Sequence, residues 1–201
     1  MILKKLDLNV HDTKKVSELI YFTDSHTFDK ILNDKTKAIE KLEKLVIVGN
    51  NSIGHENIQV VTKKNDDNVL GILITSKKDQ YNAKNEIKNF LKVFSISNTI
   101  RFTILGFIDM IFLATLDEED FYLACVAVDE KARGQGIGTF ILESSLELAR
   151  NDGKKKLVLD VDLSNNGARR LYERFGFNIF NKKSIPWWGG ERGMYNMEFL
   201  I

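Results

Sequence analysis

The segment between Phe121 and Asn151 places a glycine-rich turn between an apolar strand and a helix, and this order restricts the fold more than any other feature of the sequence. Phe121–Val128 is apolar enough to be a central strand. The turn reads Arg133-Gly134-Gln135-Gly136-Ile137-Gly138-Thr139 and opens the predicted helix Gly136–Asn151. Because glycine costs backbone entropy, three alternating glycines need a structural reason, and we expect a close approach to the backbone at this turn.

The composition of this turn suits a diphosphate ligand. Missing side chains let a ligand reach the backbone, and a helix N-terminus offers unpaired N–H groups and the positive end of the helix dipole. Arg133 adds a fixed positive charge. A P-loop is excluded because no Gly-Lys-Ser/Thr follows, and the spacing Gly-x-Gly-x-Gly departs from the dinucleotide fingerprint. A glycine-rich turn without a ligand is the alternative.

A second patterned segment runs from Asn165 to Phe177, and it reads Asn-Asn-Gly-Ala-Arg-Arg-Leu-Tyr-Glu-Arg-Phe-Gly-Phe. Its apolar residues follow helical spacing, which places Tyr172 on the buried face of a helix over Asn166–Phe175. Taken alone, Tyr172 is a core residue with a satisfied hydroxyl group.

Together the two segments resemble the GNAT superfamily of N-acetyltransferases. The resemblance rests on Arg-x-x-Gly-x-Gly after a strand that ends Val126-Ala127-Val128, and on Asn-x-x-Ala-x-x-Leu-Tyr-x-x-x-Gly-Phe further along. It covers about Phe121–Phe177 and implies an α/β (α+β) fold with a mixed, splayed central sheet and flanking helices. The predicted helical stretch 84–116 is longer than the family's connection between the third and fourth strands. We therefore expect one domain over residues 1–201 with a helical insertion.

The resemblance implies acetyl-CoA as the co-substrate and assigns residues to it. Backbone groups of Val126, Ala127 and Val128 are expected to bond the pantetheine arm. Backbone amides of Gly134, Gln135, Gly136, Ile137, Gly138 and Thr139 are expected to hold the pyrophosphate, with the Arg133 and Gln135 side chains at its rim. Asn165 is expected to touch the pantetheine, and Tyr172 to protonate the departing thiolate. A phenol of pKa about 10 is protonated at neutral pH, which agrees with that role.

The amine substrate needs a general base when its own pKa is high. Deprotonating a lysine-like amine at pH 7 costs about 4.6 kcal/mol, against about 1 kcal/mol for an α-amino group. Leu159-Asp160-Val161 resembles the Leu-Glu-Val that carries the base in ribosomal-protein alanine N-acetyltransferases, so Asp160 is the candidate base. Glu119 and Asp120 are competing bases. A purely structural role for Asp160, at a strand edge or beside arginines, is the alternative.

The acceptor side of the site is less defined in the sequence. Asp24 and His26 are expected in a loop between the first two helices, which in this fold borders the acceptor. Trp187 is expected in a last loop between the final strands, together with Trp188 and glycines 189, 190 and 193. Aromatic side chains there either pack on an acceptor or cover the sheet edge. Cys125 is expected to be a core residue, in preference to an acyl relay.

Composition excludes several classes of protein. The 29 Lys+Arg and 28 Asp+Glu give a net charge of +1, which offers no footprint for nucleic acid. One cysteine and three histidines do not build a closed zinc site, so no metal is expected. No signal-peptide pattern is visible, so a cytoplasmic location is expected. Arg101 and Asp109 divide the apolar stretch Ile100–Leu116, which predicts a buried helix, with a membrane-surface or homodimer contact as alternatives.

These observations predict an N-acetyltransferase that acts by direct transfer to a primary amine, with a small molecule favoured because no strongly charged peptide groove is evident. A protein N-terminal or lysine acetyltransferase is the alternative within the same class of enzyme. A non-catalytic acyl-CoA-binding sensor is the alternative from another class, and the presence of Tyr172 with Asn165 argues against it.

Overall fold

The computed structural model describes residues 1–76, 83–187 and 190–201. Seven strands form one sheet in the order β1-β2-β3-β4-β5-β7-β6. In chain order the elements are β1 (Ile2–Lys5), α1 (Thr13–Thr23), α2 (Ser25–Leu32), α3 (Lys35–Val48), β2 (Ile58–Lys63), β3 (Asp66–Ser76), α4 (Ala83–Val93), α5 (Ile96–Met110), β4 (Asp120–Val128), α6 (Ile137–Asn151), β5 (Lys156–Asp162), α7 (Asn166–Phe175), β6 (Asn178–Trp187) and β7 (Gly190–Leu200).

The sheet is antiparallel except between β4 and β5, which are parallel and separate part of the way along. Their pairing ends at Leu123 opposite Leu159, although β4 continues to Val128 and β5 to Asp162. On its other side β4 stays paired with β3, with a bulge that leaves Ala124 as the extra residue. The predicted mixed, splayed α/β sheet is therefore confirmed.

Two hydrophobic cores pack on opposite faces of this sheet because successive strand residues point to opposite sides. One core joins α6 and α7 to Leu157, Leu159 and Val161 of β5. The other joins α1 and α3 to alternate residues of β2 and β3. The even-numbered positions of β5 therefore point away from the first core, which places the Asp160 carboxylate on the face that carries α1.

The first part of the chain differs from the sequence prediction in two places. The loose alternation of apolar residues over Ile2–Val10 predicts a first strand of that length, but β1 ends at Lys5 because the chain turns at Asp7, whose carbonyl accepts bonds from the backbone N–H groups of Val10 and His11. The predicted loop around Asp24 and His26 is wrong. Asp24 is the N-cap of α2, where its side chain accepts from the backbone N–H of Thr27, and His26 lies within that helix.

The last two strands extend to Trp187 and back from Gly190, so the expected loop around Trp187 is also wrong. Trp187 ends β6 and pairs with Gly190, which begins β7, while residues 188 and 189 lie outside the described part. Gly193 lies within β7 opposite Ser184. A Cβ atom there would lie 2.1 Å from the Lys183 carbonyl oxygen, so this glycine is required by strand packing.

The helical insertion is confirmed between β3 and β4, where it forms α4 and α5. The prediction of a buried helix is wrong for α5, because five large apolar side chains within it and Ile111 directly after it are mostly exposed. Their exposed fractions are 71% for Ile96, 52% for Ile100, 54% for Ile104, 62% for Phe107, 53% for Met110 and 64% for Ile111. Within the described residues, no helix combines the length and the apolar character that a membrane crossing requires.

Candidate active site

A cleft of about 1570 Å³ opens where β4 and β5 separate. Residues 124–128 have no partner strand on the β5 side, so the backbone polar groups on that side of β4 face the cleft, while those on the other side face β3. The cleft is bounded by α1, the glycine-rich turn, the start of α7, the end of α5 and the beginning of β7. Because the gap interrupts the sheet, side chains from both faces of the sheet meet inside it.

The glycine-rich turn forms one end of the cleft. Gly134 and Gly136 have φ angles of +76° and +79°, which L side chains rarely adopt, and a Cβ atom on either would meet nothing within 4 Å. The first bond within α6 runs from the Phe140 N–H to the Gly136 carbonyl, so the N–H groups of 137–139 precede the helical ladder. This arrangement presents a helix N-terminus to an anion.

The third glycine of the turn has a different cause. A Cβ atom on Gly138 would lie 2.8 Å from the Leu171 side chain of α7, so this glycine lets the two helices approach each other. Gln135 does not contribute a side chain to the cleft, because its Nε2 points to the Lys131 carbonyl oxygen at 3.4 Å. Arg133 lines the cleft.

Asn165 lies at the N-terminus of α7 and lines the cleft. Its side-chain oxygen accepts a bond of 3.1 Å from the Ala168 N–H, which caps the helix. The side-chain amide nitrogen is the remaining donor of this residue, so capping and ligand contact use different atoms.

Tyr172 and Cys125 are neighbours in the middle of the cleft wall. Burial raises the pKa of Tyr172 above its usual value of 10.0, and the nearby Cys125 adds to the shift. Burial also raises the pKa of the Cys125 thiol to about 12. Both groups are therefore protonated at neutral pH, and the surroundings disfavour negative charge at this place.

Asp160 lies just past the point where β5 leaves β4, one residue beyond the Leu123–Leu159 pair. Its carboxylate accepts a bond of 2.8 Å from the Tyr122 hydroxyl and bonds of 3.1 and 3.2 Å from the Ala114 N–H. The Asn196 side-chain amide donates a further bond. Asp160 thus lines the cleft and also connects β4, β5, β7 and the end of the insertion.

The competing bases lie elsewhere. Asp120 begins β4, and its carboxylate accepts a bond of 2.7 Å from the Asp117 N–H. Glu119 forms an ion pair with Lys155 on the surface. Five residues of extended strand separate Asp120 from Cys125, which corresponds to about 16 Å. Neither carboxylate lines the cleft.

The far end of the cleft is lined by the predicted Asp24 and His26 and by residues that the sequence did not indicate. Arg192 of β7 forms a 2.7 Å ion pair with Asp109 of α5. Burial raises the pKa of both Asp24 and Asp109, an effect that the Arg192 charge opposes. The side chain of Trp187 lies outside the described part of the structure.

The end of the insertion was missed because its position depends on tertiary contacts. The buried Phe112 packs at the cleft, and its carbonyl oxygen accepts a bond of 2.9 Å from the Asn196 amide. Lys183 donates to the Leu113 carbonyl oxygen at 2.5 Å. The place of Tyr122 could have been inferred from its strand position. In the parallel pairing of β4 and β5 its side chain lies on the same face of the sheet as Asp160. No group of three or more His, Cys, Asp or Glu residues among the described positions is arranged for a metal ion.

Comparison with known proteins agrees with this architecture. The chain is 39% identical over 56 residues to N-alpha-acetyltransferase 30 of Schizosaccharomyces pombe, a stretch covering 28% of this chain and 37% of that protein. It is 33% identical over 58 residues to the putative ribosomal protein bS18-alanine N-acetyltransferase of Bacillus subtilis, covering 29% and 38%. The matched segments thus span less than two fifths of either relative.

Solved structures share the fold over nearly the full chain. An N-acetyltransferase from Staphylococcus aureus Mu50 superimposes with a TM-score of 0.68 at 20% identity, over 99% of this chain and 100% of that one. Ard1 from Thermoplasma volcanium gives a TM-score of 0.52 at 16% identity, over 100% and 97%. The model of the acetyltransferase (GNAT) family matches residues 41–177, which include the glycine-rich turn, Asp160 and Tyr172. The match covers more than half of the sequence and agrees with the splayed sheet, and the chain therefore belongs to the GNAT acetyltransferase family.

Proposed function

We propose that this chain transfers an acetyl group from acetyl-CoA directly to a primary amine, with both substrates bound in the cleft at once. The observation that carries the proposal is the unpaired edge of β4 at residues 124–128, which shares one cleft with the glycine-rich turn, Tyr172 and Asp160. The cleft volume of about 1570 Å³ exceeds the roughly 300–1,000 Å³ of a site for one small ligand. Such a volume suits two substrates.

Acetyl-CoA supplies an activated acetyl thioester, and backbone groups would hold most of it. The N–H and C=O groups of Val126–Val128 that point away from β3 would bond the pantetheine arm in the manner of an added strand. The N–H groups of Gly134–Thr139 and the Arg133 guanidinium would hold the pyrophosphate. The Asn165 amide nitrogen would donate to the pantetheine arm. These contacts use backbone atoms, and the positive φ angles at Gly134 and Gly136 favour glycine at both positions of the turn.

Tyr172 is the proposed general acid. When the amine nitrogen bonds to the acetyl carbon and the carbon–sulfur bond breaks, the leaving sulfur gains an electron pair and needs a proton. Tyr172 is protonated because burial raises its pKa. The same burial raises the pKa of the Cys125 thiol to about 12, so a thiolate leaving at this place is also strongly basic. Burial therefore raises the proton affinity of the donor and of the acceptor together.

Asp160 is the proposed base, directly or through a water molecule. A carboxylate has about four lone-pair directions, and Asp160 accepts four hydrogen bonds from three donors, because the Ala114 N–H is shared between both carboxylate oxygens. The proton of the incoming amine, or of a bridging water, would take the place of one branch of this shared bond. The three donors hold the carboxylate at the point of separation between β4 and β5. Cys125 is not proposed as a relay, because its thiol is protonated and therefore a poor nucleophile.

The proposed acceptor is a small primary amine that enters between α2 and the end of the insertion. Asp24, His26, Asp109 and Arg192 line this end of the cleft. The second candidate acceptor is a protein or peptide α-amino group. It is favoured by the names of two of the matching relatives, an N-alpha-acetyltransferase and a putative ribosomal-protein alanine N-acetyltransferase.

A substrate screen tests the proposal. Purified protein is incubated with acetyl-CoA and a panel of alkyl amines, amino sugars and short peptides with free or blocked α-amino groups, and thiol release is followed. The proposal expects release that depends on one class of free amine and falls by about 10²–10⁴ in Tyr172→Phe. Tight acetyl-CoA binding without turnover in the wild type and in Tyr172→Phe alike would support a non-catalytic sensor.

Two further points are proposed with the activity. The chain forms one domain, which is supported by a single sheet that takes strands from both ends of the chain. A cytoplasmic location is proposed from the supply of acetyl-CoA that the reaction needs, and fractionation of cells that express the tagged chain tests it.

A further inference from the structure

The exposed apolar side chains of α5, together with Ile111 at its C-cap, form one continuous stripe, called here the α5 stripe. At 100° per residue, Ile96, Ile100, Ile104, Phe107, Met110 and Ile111 fall within an arc of about 120°. The opposite face of the helix is the one that the monomer buries, where Phe102 packs against Phe28, Phe90 and Phe94. The stripe therefore has no role in holding α5 to the rest of the described chain.

The stripe is large for the surface of a monomer. With about 150–200 Å² for each fully exposed large apolar side chain, the six exposed fractions correspond to roughly 550–700 Å². The largest apolar patch of a typical monomer is about 300–600 Å². Pairing two such stripes would bury roughly 1,100–1,400 Å² in total, which reaches the range of a stable specific interface, about 1,200–2,000 Å².

The order of residues in the stripe suits pairing with a second copy. Ile96 and Ile111 are equally distant in sequence from a midpoint between Thr103 and Ile104, and so are Ile100 and Phe107. A two-fold axis through this midpoint would run two α5 helices antiparallel and place Ile96 opposite Ile111, and Ile100 opposite Phe107, of the other copy. Such a surface is complementary to itself, as an interface between identical subunits requires.

The charges of α5 favour a second copy over a membrane surface. Arg101 and Asp109 are its charged residues, and Asp109 is paired with Arg192. Helices that bind anionic membranes carry a strongly basic polar face, and α5 carries no net charge. The stripe itself contains no charged side chain, so two copies would meet without repulsion between like charges.

We propose that the chain forms a homodimer through an antiparallel pairing of the α5 stripes. This inference is independent of the proposed acetyl transfer. The last turn of α5 carries Asp109, which lines the acceptor end of the cleft. Pairing of the two α5 helices would therefore restrict the movement of the α5 residues that line each cleft.

The test compares oligomeric states by sedimentation velocity and light scattering over a wide range of protein concentrations. The wild type is expected to be a dimer, and the double variant Ile100→Asp/Phe107→Asp a monomer with an unchanged far-ultraviolet circular dichroism spectrum. Val10→Asp is the matched control, since Val10 is 50% exposed and lies outside the stripe, and it is expected to remain a dimer. A wild type that is monomeric at every concentration overturns the proposal.

A second measurement does not depend on disruptive substitutions. Ile104 lies beside the proposed axis, so Ile104→Cys is expected to form a disulfide-linked dimer under mild oxidation, while Val10→Cys is not. The native Cys125 is present in both variants and serves as an internal control. Equal crosslinking of the two variants contradicts the proposal. So does sedimentation of monomeric wild type with phosphatidylserine vesicles, which would assign the stripe to a membrane.

Discussion

The two ends of the cleft are built from different kinds of atoms. At the glycine-rich end, positive-φ glycines, a helix N-terminus and an open strand edge present backbone groups. At the acceptor end, side chains from α2, α5 and β7 converge, and the Asp109–Arg192 ion pair is one of their contacts. A backbone site constrains the local sequence strongly, whereas a side-chain site can change by substitution at separate positions. The first end therefore carries the family resemblance, and the second is expected to determine which amine is used.

The largest effect is expected at Asp160, between the two ends. Asp160→Asn is expected to lower kcat by about 10²–10⁴ at pH 7 for an amine of pKa about 10, because the amine then needs a base. The defect is expected to shrink toward pH 10, where the amine loses its proton without help. Steady-state rates across pH measure this. An equal defect at both pH values would assign Asp160 a structural role through its bonds to Tyr122 and Ala114.

The glycine-rich end of the cleft is tested by substituting a matched pair of glycines. Gly136 and Gly153 have φ angles of +79° and +68°, and a Cβ atom on either meets nothing within 4 Å, but only Gly136 lines the cleft. Alanine at either position is expected to cost about 1–2 kcal/mol of unfolding free energy. Only Gly136→Ala is expected to weaken acetyl-CoA binding as well, by about tenfold or more in titration calorimetry. Equal affinities in the two variants would remove the turn from the cofactor site.

The acceptor end of the cleft is tested at the Asp109–Arg192 ion pair. Asp109→Asn is expected to raise KM for the amine several-fold while KM for acetyl-CoA stays within a factor of two, because the substitution alters the acceptor wall alone. Lys182 and Glu191 form an ion pair of 2.5 Å that is more exposed, and Lys182→Gln serves as the comparison. A change in KM for acetyl-CoA in Asp109→Asn would mean that the two ends are not separate.

A smaller effect is expected for Asp24, whose pKa burial raises. When the pKa of a carboxyl group is higher in the folded than in the unfolded chain, the free energy of unfolding falls as pH rises above the unfolded pKa. The reason is that ionisation is then easier in the unfolded chain. Asn also caps helices well, so Asp24→Asn keeps that function. The difference in free energy of unfolding between the variant and the wild type is expected to shift in favour of the variant as pH rises from 4 to 7, by about 1 kcal/mol or less. Urea unfolding at both pH values measures it, and a gain that is larger at pH 4 contradicts the expectation.

The positions of most residues at the glycine-rich end of the cleft were predictable from the sequence. Strand β4, the turn, α6, Asn165 and Tyr172 lie where the local patterns placed them, because glycine spacing and helical periodicity act over short distances. The side chain of Gln135 is the exception, since it bonds to Lys131 away from the cleft. The requirement for glycine at position 138 is visible only in the structure, because its neighbour Leu171 belongs to another helix.

The acceptor end was predicted less well because its geometry is tertiary. Asp24 and His26 do line the cleft, although they belong to a helix and not to the predicted loop. The placement of Phe112 and Ala114 depends on contacts with Asn196 and Asp160, which are far away in sequence. The exposure of α5 was equally hidden, since an apolar helix has the same sequence pattern whether the protein or a partner covers it.

The cleft is proposed to bring acetyl-CoA and an amine together for acetyl transfer. To test this, the purified wild type is incubated with acetyl-CoA and the amine that the screen selects, and both products are measured by mass spectrometry. We expect one N-acetylated amine for each free thiol of coenzyme A released. Thiol release without an N-acetylated product, or binding without release for every amine and peptide, would contradict it.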